Sequence, residues 1–156
     1  IDHMTENELL AVRDHTGMVF QEGALFDSLT VGENVGFKLY EETDMPLADV
    51  RARVEEVLGF VELSPFIDRK PSELSGGQQQ RVAIARAIVS DPTVLVCDEP
   101  TGDLDRQSAE EVLRLLQVLN REHGKTIVMV THDPKAAEHA THTLHLEKGT
   151  LVEAAA

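Results

Sequence analysis

Val94-Leu95-Val96-Cys97-Asp98-Glu99-Pro100 is a short apolar run that ends in two adjacent acids and a proline. A run this continuous predicts a strand covered on both faces. Upstream of it, Ser75-Gly76-Gly77 opens a helix that continues to about Ser90. That helix is apolar over much of its girth, through Val82, Ala83, Ile84, Ala85, Ala87, Ile88 and Val89. Downstream comes a helix over 107–122, with a stripe of Val112, Leu115, Leu116 and Leu119. A second buried strand is predicted over 126–130, then a helix capped by Asp133-Pro134. Short strands over 143–146 and 151–153 flank a Lys148-Gly149 turn. Helix and strand alternate from residue 75 onward, which predicts an α/β fold on a mostly parallel sheet with crossover helices.

The first half reads less regularly. Residues 6–15 suggest a short helix, and 16–20 a strand that ends at Gln21. Residues 22–45 are rich in Gly, Glu and Asp, with a weak helical patch around 31–39. Pro46 opens a helix whose stripe is Leu47, Val50, Val54, Val57, Leu58 and Val61. Ser64-Pro65 and Lys70-Pro71 break the pattern. With 156 residues, 42% hydrophobic and 27% charged, the composition is that of one folded domain. Its 28 acidic and 14 basic side chains give a formal charge of −14, which argues against nucleic acid as a main partner. No apolar run approaches the roughly 18 residues of a membrane helix. The single cysteine, Cys97, lies inside a predicted strand; it excludes an internal disulfide, fits a reducing compartment and reads as a small core residue. The first residue is Ile1 rather than Met, so a cut or processing upstream is expected.

Open α/β sheets bind ligands beyond the carboxyl ends of their strands. Three predicted strand ends carry polar groups: Asp98-Glu99, Thr131-His132-Asp133 and Gln21. Adjacent acids at a strand end suit nucleotide chemistry, in which one carboxylate holds Mg²⁺ and its neighbour polarises a water. Taken alone they could equally be solvated loop acids. Ser75-Gly76-Gly77-Gln78 adds a helix start with uncovered backbone N–H groups, an anion site more specific than an ordinary serine cap. Three histidines at 139, 142 and 145 have a metal-like spacing, but they cross from helix to strand and need not converge.

Leu74-Ser75-Gly76-Gly77-Gln78-Gln79-Gln80-Arg81 resembles the signature motif of ATP-binding cassette (ABC) ATPases. Val94 to Pro100 resembles their Walker B strand with its catalytic glutamate, and Gly102-Asp103-Leu104-Asp105 their D-loop. His132 and Gln21 match the H-loop histidine and the Q-loop glutamine, and all five motifs follow the family's order over residues 16–150. The resemblance implies a P-loop NTPase-like three-layer fold, here incomplete, with an inserted helical subdomain. Residues 1–21 would end the N-terminal sheet region. Residues 22–90 would form the helical subdomain and 91–156 the RecA-like core. The cofactors implied are ATP and Mg²⁺. Glu99 would be the general base and His132 would contact the γ-phosphate. Asp98 would hold Mg²⁺ through water, and Gln21 would sense Mg²⁺ and nucleotide. Ser75, Gly76, Gly77 and Gln78 would meet the ATP of the opposite protomer in a homodimer, and Asp105 would cross the interface. The implied partner is a transmembrane permease, which would place the protein on the cytoplasmic face of the plasma membrane.

One family motif is missing from these 156 residues. The P-loop, G-x-x-x-x-G-K-[ST], should lie before Gln21, where Gly17 is the sole glycine. Gly124-Lys125-Thr126 is no substitute: the required earlier glycine position is Leu119, and the tripeptide precedes a strand. The aromatic that stacks on adenine would also lie upstream. The chain by itself is therefore expected not to hydrolyse ATP. The helices that would cover upstream sheet strands are expected to expose apolar surface. An alternative is a non-hydrolysing partner that completes another subunit's site in trans. Residues 21–35 resemble phospholipid-trafficking, solvent-tolerance-type ATPases, while 98–105 and 127–133 resemble the lipoprotein-release and macrolide-export branch. Both suggest a lipid or lipid-linked cargo.

Overall fold

The computed structural model describes residues 4–153. Its elements are α1 (Glu6–Asp14), β1 (Thr16–Val19), α2 (Val31–Glu42), α3 (Leu47–Phe60), α4 (Gly76–Ile88), β2 (Val94–Asp98), α5 (Arg106–Arg121), β3 (Thr126–Val130), α6 (Pro134–Ala137), β4 (Leu144–Glu147) and β5 (Thr150–Glu153). Single 3-10 turns form at Ser64–Phe66 and Pro71–Glu73, where the two prolines interrupt the helical pattern. Helix starts are set locally. Thr5 with Glu8, Thr30 with Glu33, and Ser75 with Gln78 each form a reciprocal capping box.

Three strands form a parallel sheet in the order β1-β2-β3, with Thr16 beside Val94 and Val94 beside Thr126. Helix α4 lies against β1 and α5 against β3. Val19, Leu95 and Cys97 point into one continuous core with Ile84, Val112 and Leu116. That core extends without a break into α2 and α3 through Val31, Val35, Val54 and Leu58. Gly17 permits the close approach of α4, since a Cβ there would come within 2.5 Å of the Ala87 carbonyl oxygen. Buried Asn34 organises the loop before α2: its amide donates to the carbonyls of Phe26, Leu29 and Thr30 and accepts from the Phe26 N–H.

Three expectations are corrected. β2 is not covered on both faces: Leu95 and Cys97 are buried, whereas Val94 and Val96 are half-buried. β3 is not a buried strand, because Thr126, Val128 and Val130 are exposed and Ile127 and Met129 half-buried. The cause is that α4 and α5 cover one sheet face, while β3 is an edge. Met18 at 46%, Val128 at 49% and Val130 at 55% exposure form the open side. The alternation also does not extend the parallel sheet past β3. β4 and β5 pair with each other, antiparallel, in a separate hairpin. Lys148 and Gly149 both take positive φ (47° and 83°), the geometry of a tight two-residue reversal.

Candidate functional site

The carboxyl ends of the three parallel strands bring together Gln21, Asp98-Glu99 and Thr131-His132. Glu99 leaves β2 with a left-handed backbone, φ 44°, and its N–H donates to the Val130 carbonyl. This turn aims the side chain across the sheet toward the end of β3. There the carboxylate is held at three points. His132 Nδ1 lies 2.6 Å from Oε1, the His132 backbone N–H donates to the same oxygen at 2.9 Å, and the Thr131 hydroxyl donates to Oε2 at 3.2 Å. The Thr131 oxygen in turn accepts from the Asp133 N–H. Burial pushes the Glu99 carboxyl up, but the hydrogen bonds from His132 and Thr131 outweigh it and hold the group below its ordinary value. The same bond, with the adjacent negative charge, raises the pKa of exposed His132. An ionised Glu99 requires Nδ1 to donate, so Nε2 is the ring's free nitrogen. This is a half-buried carboxylate kept ionised and oriented beside an exposed imidazole.

The helix start at residue 75 is also placed as expected. Ser75 and Gly76 are exposed at the N-terminus of α4, and Gly77 is buried. The Ser75 hydroxyl oxygen accepts from the Gln78 N–H, and Gln78 returns the bond to the Ser75 N–H. Gly76 has ordinary clearance. A Cβ on Gly77 would stand 2.7 Å from Ser108 Cβ, so this glycine lets α4 and α5 touch. Gln78 is thus tied into its own cap. Asp105 caps α5, accepting from the N–H groups of Gln107 and Ser108 and from the Ser108 hydroxyl, which holds its pKa down. Asp98 ends β2 with an exposed side chain.

Sequence reasoning missed four supporting residues. Gln80 in α4 donates to the Phe20 carbonyl, and Arg86 donates to the carbonyls of Gly23 and Ala24. These bonds grip the backbone on both sides of Gln21. They hold a loop in which Glu22, Gly23 and Ala24 all have positive φ. Gln21 itself donates to Asp103. Gln80, Thr131 and Asp103 stood inside stretches already singled out in the sequence, but no pattern announced their bonds. A cleft of about 460 Å³ lies between these parts, lined among others by Gln21, Gly76, Gln80, Glu99 and Asp103.

Among the described residues, no three His, Cys, Asp or Glu side chains gather as a metal site. Asp98, Glu99 and Gln21 offer oxygen atoms only, too few for a protein cage. That set fits Mg²⁺, which takes one or two carboxylates and completes its shell with water and phosphate oxygens.

A family model described as ABC transporter matches residues 1–102. A methionine import ATP-binding protein of Bacillus thuringiensis subsp. konkukian is 39% identical over 154 residues, 98% of this chain and 45% of that protein. A macrolide export ATP-binding/permease protein of Syntrophobacter fumaroxidans is 42% identical over 150 residues, 95% of this chain and 21% of that protein. The chain therefore spans less than half the length of these curated relatives. Among solved structures, a dimeric ATP-binding cassette in a post-hydrolysis state with ADP and Pi matches with a TM-score of 0.81 at 38% identity, covering 97% of this chain and 68% of that one. The cbiO1 protein of Clostridium perfringens, part of an ABC transporter complex, matches with a TM-score of 0.86 at 30% identity, covering 95% and 59%.

Proposed function

The chain belongs to the ABC transporter family, and from that premise we propose that it is the catalytic portion of an ATP-hydrolysing subunit that energises transport. The observation that carries this reading is the Glu99 carboxylate, fixed by His132 and Thr131 beyond the end of β2. Glu99 accepts the proton of the water that attacks the terminal phosphate. His132 presents Nε2 to that phosphate and, through Nδ1, keeps Glu99 in place. Mg²⁺, when bound, neutralises charge on the phosphates; Asp98 and Gln21 are the residues that hold it. Ser75 and Gly76, exposed with the α4 dipole behind them, face the ATP of a second copy, as Asp105 does across the same interface. A dimeric relative holding ADP and Pi supports the pairing.

The partner is a transmembrane permease, met by the helices of residues 22–90, and the protein works on the cytoplasmic side of the membrane. The relatives named for methionine import and macrolide export lend no support to a lipid cargo, which rests on the resemblances of residues 21–35, 98–105 and 127–133. These 156 residues carry no P-loop, so the main cationic partner of the phosphates is missing from them. The chain by itself should not turn over ATP. Joined in frame to a P-loop segment of a relative, it should release phosphate with Mg²⁺·ATP. Turnover by the chain alone would contradict the first statement, and a joined protein that binds ATP without hydrolysing it would contradict the second. The second outcome would favour the non-hydrolysing partner role.

A further inference from the structure

Gln21 and Asp103 lie 82 positions apart in sequence, yet the Gln21 amide Nε2 is 2.6 Å from Asp103 Oδ2. Both side chains are exposed, so burial does not force them together. Three features make the contact specific. The backbone flanking Gln21 is fixed by Gln80 on one side and Arg86 on the other, which leaves the side chain as the movable part. Gly102, beside Asp103, clears space for the amide: a Cβ there would stand 3.2 Å from Gln21 Nε2 and 3.5 Å from Glu99 Cβ. Gln21, Asp103 and Glu99 line the same cleft.

A side-chain amide has a donor end and an acceptor end of nearly equal shape. An ionised carboxylate can only accept, so it selects one of the two orientations. We propose that Asp103 is a positioning residue: it fixes the Gln21 amide with Nε2 turned toward the D-loop and leaves Oε1 as the free end in the cleft shared with Glu99. The inference deepens the ATPase reading, which supplies the use of that oxygen, a hard donor suited to Mg²⁺. It also ties β1's end directly to the turn before α5 within one subunit.

The test is the side-chain amide spectrum of the ¹⁵N-labelled 156-residue chain, with the Gln21 signals identified from Gln21→Ala. It needs no nucleotide, so it is independent of whether the chain serves an ATPase. In the unmodified chain the Gln21 pair should be deshielded and slow to exchange, unlike exposed Gln107. Asp103→Ala should move the pair to the values of a free amide, with the Gln80 pair unchanged and the melting temperature preserved. Asp103→Asn, which keeps an acceptor but adds a donor, should fall between. The proposal is overturned if the Gln21 pair in the unmodified chain already looks free. It is equally overturned if Asp103→Ala leaves the pair in place, or if Asp103→Asn behaves like Asp103→Ala.

Discussion

Glu99 and His132 set each other's protonation. The carboxylate keeps His132 charged above its ordinary value of 6.5, and the hydrogen bonds it receives keep Glu99 ionised below its ordinary value of 4.5. The ion pair contributes fully below pH 6.5 on the histidine side and is lost as pH rises through the raised value. On the acid side it is lost as pH falls through the lowered Glu99 value. An NMR titration of the His132 ring should place its midpoint above 6.5, and Glu99→Gln should bring that midpoint down. A midpoint unmoved by Glu99→Gln would contradict the pairing. Gly77 makes a second prediction at this scale. Helix propensity alone favours alanine by about 1 kcal/mol. The 2.7 Å approach to Ser108 should reverse the sign, so that Gly77→Ala destabilises by about 1–3 kcal/mol in denaturant unfolding. Adding Ser108→Gly should recover part of that loss. Gly76→Ala, with its nearest neighbour 3.5 Å away, should be tolerated.

At the scale of elements, α4 does more than present its N-terminus. Arg86 is half-buried, and burial lowers its pKa. Its guanidinium satisfies two carbonyls of a loop with three consecutive left-handed residues. Such backbone costs energy unless its surroundings hold it. Arg86→Ala should cost about 1.5–3 kcal/mol and speed amide exchange in residues 22–25 more than in β2. Uniform exchange changes would argue against a local clamp. Most of these elements were legible in the sequence. Capping residues and apolar stripes placed α3, α4 and α5 within a residue or two, because those signals are local. α2 was under-read as a patch ending near 39, although it runs to Glu42. Gly32, Gly36 and the acids dilute its stripe, and contacts with α3 and α4 hold it. The bonds of Asp103, Thr131 and Arg86 were not legible, since each joins residues that only the folded chain brings together.

For the whole molecule, the parallel sheet was legible in the alternation of helix and strand, but the strand order and the coverage of the sheet were not. A continuous apolar run looks the same whether one face is covered or two, and here the face bearing Met18, Val128 and Val130 is open. The hairpin of β4 and β5 likewise departs from the alternation because two positive-φ residues reverse the chain. What the assembled molecule does, for the function proposed, is gather two strand ends and one helix start around a single cleft, with the end of β3 bonded to Glu99. The most direct test is turnover by the P-loop-joined protein with Glu99→Gln. Phosphate release should fall about 10²–10⁴-fold while ATP stays bound, because a positioned base is lost and the binding groups are not. Undiminished release by that variant would contradict the assignment of Glu99, and with it the account of the site.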